Sequence, residues 1–576
     1  MRVRIFLALA AAAAILAWRA AACTTVMVGR NATTDGSVLV GSSCDGDIMG
    51  VMYVIPAETR PPSTVIPMYR NMPRPRNHAE YLANLRKGYD VVGHMPLGST
   101  YRTILLGGQV ESMMTGGMNE HGLTVAIEFI PMRKGLASAK GKVGPNSNHW
   151  STSLIAHALL RAKTAREAIR IVGDMVEEHG FQYYRNPTAG VALPIADKDE
   201  VWLMEIFGPG EKWTPDSGKP GGVWCAQRIP DDHVGCSANR SRIGKIDLQR
   251  RDEFVASPNV YSLSEELGFR KKGDPFVWHD VYGDPASRAV CLREWRVLSL
   301  AAPSAGLKAT GDPKRDRYPF SVKRDRSFSV DRMIGVMRDS YQGTGFDVTE
   351  NPAFMRNGKK NPLARAAGPQ ELFDLLGIKP ERTIATPTSG YVFVSQIRKW
   401  LPDPIANCMW FAYGPADTSF FTPVYSGTTN LPDEWSRTAD FTRVTRGQPQ
   451  WEFRLVNALT NALNYQSAIK DVRGVIEPGE KRLLSMQRAI EQTALAVYRK
   501  HGAAAAEKFV TEYAANSMRQ AGYTYRELVD YLMFQYLTGS PEVAPQKPPD
   551  MAVPQVPYAP EKEGLPEQND QAADFK

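Results

Sequence analysis

Two alternating regimes of hydrophobic and polar positions run along this chain. Residues 24–29 are β-branched and apolar, Thr34-Asp35-Gly36-Ser37 reads as a turn, and residues 38–40 return apolar, which predicts a β-hairpin. Residues 104–106 and 123–129 repeat the pattern on either side of a Gly-rich turn. From 150 to 179 the apolar positions instead fall at helical spacing (Leu154, Ala158, Leu159, Ala162, then Ala168, Ile169, Val172, Met175, Val176), with Gly180 as the C-cap. Short strands are predicted at 190–196, 200–207, 222–227 and 234–238, the first two joined by the tight turn Asp197-Lys198-Asp199. Residues 240–340 are mixed, 380–430 are strand-rich again, and 450–537 are helical in pattern, with no internal repeat. Hairpins set apart from helical blocks predict an α+β layered domain rather than a doubly wound sheet.

The ends of the chain read differently. Residues 1–22 combine Arg2 and Arg4, an apolar stretch over 5–18 and Ala20-Ala21-Ala22, the pattern of a signal peptide cleaved before Cys23. An exported protein, periplasmic or extracellular, is therefore expected. Residues 541–576 hold seven prolines between Pro541 and Pro560 and then turn acidic and polar, a composition that predicts a disordered tail. The formal net charge of +8 would fall to +5 once the three leader arginines are removed. That is too weak a basic bias to point to nucleic acid. No apolar run after residue 22 is long enough to span a membrane.

Standard chemical signatures are missing: no GxGxxG after a strand, no GxxxxGK[ST], no HExxH, no GxSxG, and no CxxC among the six cysteines. The nine histidines lack ligand spacing, and no cofactor or metal is called for. What remains is Cys23. Cleavage after Ala22 would give it a free α-amine with a reference pKa near ~7.7–8.0, partly neutral at physiological pH. One residue would then carry both nucleophile and base. Its position also fits a lipidated Cys, although Ala20 stands where that motif places Leu, or a structural Cys opening a strand.

The stretch CTTVMVGRNATTDGSVLVGSSCD resembles the opening of the cysteine dipeptidases of the dipeptidase A family, within the N-terminal-nucleophile hydrolases. MNEHGLTVAIE, RAKTAREAIRIV, IADKDEVWLMEI, RIPDDHVGCSANRSRI, YPFSV, MRDSYQGTGFDVT and WLPDPIANCMWFAYGPADTS continue the resemblance in order to about residue 420, and the helical block to about 540 is also similar. The resemblance implies a four-layer αββα sandwich over 23–445, with a helical C-terminal region over 446–540. It implies hydrolysis of dipeptides or short peptides through an acyl-enzyme.

Residue by residue, Cys23 matches the nucleophile and Asp45 the carboxylate that hydrogen-bonds the terminal amine; alone, Asp45 reads as a turn-capping residue. Asn239 matches the side-chain amide that donates to the oxyanion, against the plainer reading of a strand-end turn. Relatives usually place an Arg three residues before the Asp, where this chain has Ser42, so the cation must come from elsewhere or be lost. Arg293 resembles another site Arg of the wider superfamily. Glu128, an acid within a strand, is the expected anchor for a free peptide amine, and Asn119 reads as a hairpin-turn residue. An N-acyl amide hydrolase of the choloylglycine or penicillin acylase type, and a non-catalytic lipoprotein or peptide-binding relative, are the alternatives.

Overall fold

The computed structural model describes residues 23–46, 50–69, 91–108, 114–138, 150–182, 188–284, 287–368, 370–437, 439, 443–462, 464–538 and 548–549. The expected leader, 1–22, and nearly all of the expected tail, 541–576, lie outside the described residues. In chain order the strands are β1 (Thr24–Val28), β2 (Val38–Asp45), β3 (Gly50–Ile55), β4 (Val65–Tyr69), β5 (Val91–Pro96), β6 (Thr103–Gly108), β7 (Met114–Asn119), β8 (Thr124–Ala126), β9 (Glu128–Pro131) and β10 (Ala189–Ala196). They continue as β11 (Val201–Phe207), β12 (Val223–Ile229), β13 (His233–Ser237), β14 (Phe254–Ala256), β15 (Ser321–Lys323), β16 (Met355–Arg356), β17 (Lys359–Lys360), β18 (Ser389–Ile397), β19 (Cys408–Tyr413) and β20 (Thr422–Tyr425).

Two antiparallel sheets hold most of these strands. One has seven, in the order β15-β13-β1-β2-β18-β19-β20. The other has nine: β14-β12-β11-β10-β8-β7-β6-β3, with β9 pairing β10 beside β8. Period-two alternation explains how the second sheet is covered. On β11, Val201, Leu203 and Phe207 belong to a core shared with the seven-stranded sheet. Trp202, Met204 and Ile206 belong to a separate core under two helices, α1 (Trp150–Arg161) and α2 (Ala165–His179). Burying each such large apolar side chain stabilises by roughly 1.5–3 kcal/mol, so a one-residue slip in register would exchange both faces at once.

The helical run expected over 150–179 is divided in two. Thr164 is the N-cap of α2, accepting from Glu167 N, and Ala165 N donates to Asp197 Oδ2 at 2.8 Å. These bonds satisfy amides that a continuous helix would have paired internally. Gly180 closes α2 at φ 86°, as its composition predicts. Against the seven-stranded sheet, α3 (Arg288–Ala301) packs on β13 and α4 (Val330–Met337) packs on β2 and β18.

The C-terminal region is helical: α5 (Pro449–Ala462), α6 (Tyr465–His501) and α7 (Ala503–Met533). It is joined to the first sheet by buried groups. Glu480 on α6 receives two bonds of 2.8 Å from Arg338, and Glu491 pairs with Arg398. The Phe453 and Tyr525 rings stack at 3.7 Å between α5 and α7. No helix of the described residues is long and apolar enough to cross a membrane.

Candidate active site

Cys23 immediately precedes β1, which lies beside the central strand β2 of the seven-stranded sheet. The register pairs Thr24 with Ser43, which sets Cys23 beside Cys44 on β2, and Thr25 pairs with both Ser42 and Ser237. All six cysteines are buried thiols, so none of the disulfides that export would permit is formed. The Cys23 thiol is pushed up, first by its hydrogen bond with Cys44, then by burial and by the negative charges of Asp45 and Glu128.

Asp45 ends β2 and is 1 % exposed. Its Oδ2 accepts from Ser43 Oγ at 3.0 Å and from Arg382 Nη2 at 2.7 Å, and its Oδ1 accepts from Ser389 Oγ. Ser43 Oγ also accepts from Thr24 N at 3.2 Å. The Asp45 carboxylate is therefore fixed one peptide unit from Cys23. Ser42 turns to Thr25, their hydroxyls 2.8 Å apart, and the cation at this carboxylate is Arg382. The segment that carries Arg382 is held by Tyr341, whose hydroxyl donates to Arg382 O at 2.7 Å. Tyr341 itself stands at φ 68°, where its N–H donates to Asp339 Oδ1 at 2.8 Å. Such a conformation costs a bulky residue on the order of 1–3 kcal/mol and persists only when its surroundings impose it.

Arg293, on α3, is the junction of the site. Its Nη1 donates to Cys23 O at 2.7 Å and Thr24 Oγ1 at 2.9 Å; its Nη2 donates to Ala238 O and Asn239 Oδ1, both at 3.1 Å. The guanidinium has no acceptor atoms, so Asn239 must present its oxygen to Arg293 and its Nδ2 elsewhere. Nδ2 donates to Phe129 O at 2.9 Å, which leaves its second N–H uncommitted among the described residues. Asn239 lies just past β13 at φ 68°, a left-handed geometry that Asn tolerates better than most residues.

The turn after Asn239 is pinned from two sides. Glu205 accepts from Ser241 Oγ, Arg242 N, Ile243 N and Trp278 Nε1, and Glu294 pairs with Arg240 and Arg242. Both carboxylates are fully buried.

Glu128 opens β9 and faces the same centre. Its Oε2 accepts from Asn239 N at 3.3 Å, and Oε1 has no hydrogen-bonded partner among the described residues. Burial raises its carboxyl from 4.5 to about 7, against the opposing influence of the Ser237 and Thr25 hydroxyls, the Arg293 charge and the Asn239 N–H. Asn119, by contrast, is a turn residue. Its Oδ1 accepts from His121 N and Leu123 N, both at 3.1 Å, and its Nδ2 donates to Leu159 O and Ala162 O.

Cys23, Asp45, Asn239, Arg293 and Glu128 thus converge although they span 270 residues of sequence. Sequence reasoning missed Arg382, Ser389 and Cys44. Arg382 sits in KPERTIAT, a stretch with no motif, 337 residues from its partner Asp45. The Ser at position 42 signalled only that a cation there was either lost or supplied from elsewhere.

Peptidase family C69 matches residues 22–477. The chain is similar to dipeptidase A of Lactobacillus helveticus, 22 % identical over 424 residues, covering 73 % of this chain and 78 % of that protein. It is similar to a probable dipeptidase B of Lactococcus lactis subsp. lactis (strain IL1403), 24 % identical over 431 residues, 72 % and 76 % of the two chains. A dipeptidase of Bifidobacterium longum (strain NCC 2705) is 22 % identical over 464 residues, 76 % and 77 %. The chain belongs to Peptidase family C69.

Proposed function

We propose that the protein is an exported cysteine-type dipeptidase that uses Cys23 as an N-terminal nucleophile on the four-layer αββα scaffold of the N-terminal-nucleophile hydrolases. The observation that carries this reading is the pair of groups around Cys23: a fixed carboxylate, Asp45, linked through Ser43 Oγ to the amide of the next residue, Thr24, and a carbonyl oxygen held by Arg293. Support for the scaffold comes from the two antiparallel sheets sharing one core, with α1 and α2 against one sheet and α3 and α4 against the other. Support for processing comes from the leader-like residues 1–22 and from a family match that begins at residue 22.

Removal of residues 1–22 would place an α-ammonium beside Asp45. That new positive charge opposes the negative surroundings that now push the thiol up. In its neutral form the amine takes the thiol proton as the sulfur attacks the scissile carbonyl. The second Nδ2 N–H of Asn239 and a backbone N–H receive the oxyanion, a donor of this kind being worth about 3 kcal/mol. The amine then protonates the leaving amino group, and water releases the acyl-enzyme by the reverse path. Glu128 would pair with the free ammonium of the substrate, which favours dipeptides over N-acyl amides. No cofactor takes part in these steps.

Cys23→Ala in the purified protein, assayed on a dipeptide panel, tests the reading together with the mass of the N-terminus. Loss of turnover and a bare Cys23 are expected. Turnover that survives the substitution, or a diacylglyceryl group on Cys23, would overturn it.

A further inference from the structure

β1 and β2 bring two thiols face to face. Thr25 lies across from Ser42 and their hydroxyls meet at 2.8 Å, so side chains at these two positions share one face of the sheet. Alternation with a period of two puts Cys23 on the face of Thr25 and Cys44 on the face of Ser42. The register, continued one residue beyond Thr24 and Ser43, sets the two cysteines directly across from each other, and their thiols are hydrogen-bonded. Tyr391 on β18 lies across from Cys44 and completes the row. Its hydroxyl is 2.5 Å from Thr115 Oγ1 on β7, so this face is the one turned toward the nine-stranded sheet.

Directly opposed residues of an antiparallel pair lie about 4.5–5.5 Å apart between Cα atoms. That is within the roughly 4.4–6.8 Å that a disulfide bridges. Cys236, on the strand that borders β1 on its other side, is across from Val26, and alternation turns that pair to the opposite face. Cys44 is therefore the partner that the sheet offers to Cys23. The hydrolytic steps proposed above use the sulfur of Cys23 and leave Cys44 without a task.

We propose that Cys23 and Cys44 close into a reversible disulfide at the expense of a low-molecular-weight disulfide, and that this bond switches hydrolysis off. The switch rests on the peptidase reading above, in which Cys23 is the nucleophile. Both side chains are buried, but the sulfur that a peptide carbonyl must reach is that of Cys23, so Cys23 reacts first. Its thiolate attacks one sulfur of the oxidant, forms a mixed disulfide and expels a thiolate. That thiolate takes the Cys44 proton. The Cys44 sulfur then attacks the Cys23 sulfur and expels the second half of the oxidant, which leaves as a thiol with the proton lost by Cys23. Two protein thiols are oxidised by two electrons, and one small disulfide is reduced to two thiols. Export, also proposed above, would place the pair in an oxidising compartment, where such a bond can persist.

The test treats the purified protein with 2-hydroxyethyl disulfide, alkylates the remaining thiols and digests it for mass spectrometry, while a parallel sample is assayed on a dipeptide of the Ala-Ala type. A Cys23–Cys44 linked peptide should form and turnover should fall more than about tenfold, and dithiothreitol should reverse both. In Cys44→Ser and Cys44→Ala, each compared with its own reduced form, the reaction should stop at a 2-mercaptoethanol adduct on Cys23. A parent that stops at the same adduct, or that yields no linked peptide, overturns the proposal. The link is read by mass and needs no turnover, so the two readings fail separately. A link with undiminished turnover overturns the nucleophile role of Cys23 and with it the switch. Turnover that is lost in Cys23→Ala, with no link in the parent, overturns the disulfide alone.

Discussion

Glu128 offers the sharpest test of the electrostatics of the site, because its protonation couples stability and substrate binding in opposite directions. Burial lifts its carboxyl from 4.5 to about 7. At 1.36 kcal/mol per pKa unit, the ionised form is disfavoured in the folded chain by about 3 kcal/mol relative to the unfolded one. Between these two values the native protein binds more protons than the unfolded protein, so stability falls as pH rises. The stabilising contribution of the protonated carboxyl is complete below about 4.5 and is lost as pH passes through 7. Glu128→Gln keeps the shape and cannot ionise. Chemical denaturation should therefore find the variant matched to its parent near pH 4.5 and more stable by about 2–3 kcal/mol at pH 8. Over the same range the parent should gain affinity for dipeptides, since only the ionised carboxylate pairs with a substrate ammonium. KM should fall as pH rises through about 7 in the parent and stay flat in the variant. A stability difference that does not vary between pH 5 and 8 would refute the account of Glu128 as a carboxyl held near neutrality by burial.

Three further substitutions address the surroundings of that centre. Arg382→Gln leaves Asp45 buried with only hydroxyl donors; because Arg382 is 22 % exposed, the expected loss is about 2 kcal/mol of stability, below the ~3–5 for a fully buried pair. Its kcat should fall more than KM changes, as expected of a residue that acts on the nucleophile through Asp45. Arg338→Ala strands Glu480 between α6 and the first sheet at a cost of about 3–5 kcal/mol, and an apolar replacement of both partners should recover most of it in a double-mutant cycle. Gly173→Ala would place a Cβ 2.5 Å from Trp224 Cζ2 in the core under α2. A melting point lowered to match about 1–3 kcal/mol is expected, with Trp224 emission changed.

Many strands of the two sheets were readable as short apolar or β-branched runs bounded by turn residues, whereas β3, β14 and β15 were not. Boundaries failed where local chemistry competes with the pattern. The expected Gly-rich turn after residue 106 is in part strand β7, and Gly117 belongs there because a Cβ would meet Ile104 O at 2.3 Å. The single strand expected over 123–129 is broken between Ala126 and Glu128, which shifts Glu128 from β8 to β9. That break lets a carboxyl of an otherwise apolar stretch reach Asn239. Of the site, Cys23 was visible from its place after a leader-like segment, and Asp45, Asn239, Arg293 and Glu128 from resemblance joined to residue type. Arg382 and Ser389 were not, since they meet Asp45 only after β18 pairs with β2 across more than 340 residues.

The position of Arg382 also bears on why Ser is tolerated at 42. An Arg on β2 at that position would have to extend from a strand whose neighbours, Thr25 and Phe393, are both buried. A cation arriving from the 382 segment avoids this, because its guanidinium reaches Asp45 from the partly open side while Tyr341 fixes its backbone. Burial, then the charge of Arg382, acts against Arg293. The two guanidiniums remain compatible because each has its own anionic or carbonyl partner: Asp45 for one, and the oxygens of Cys23, Ala238 and Asn239 for the other. Positive charge thus reaches Asp45 from Arg382 and the Cys23 carbonyl from Arg293. If Cys23 is the nucleophile, as proposed, the amine freed by release of residues 1–22 would supply the positive charge that the described side chains do not place on the thiol.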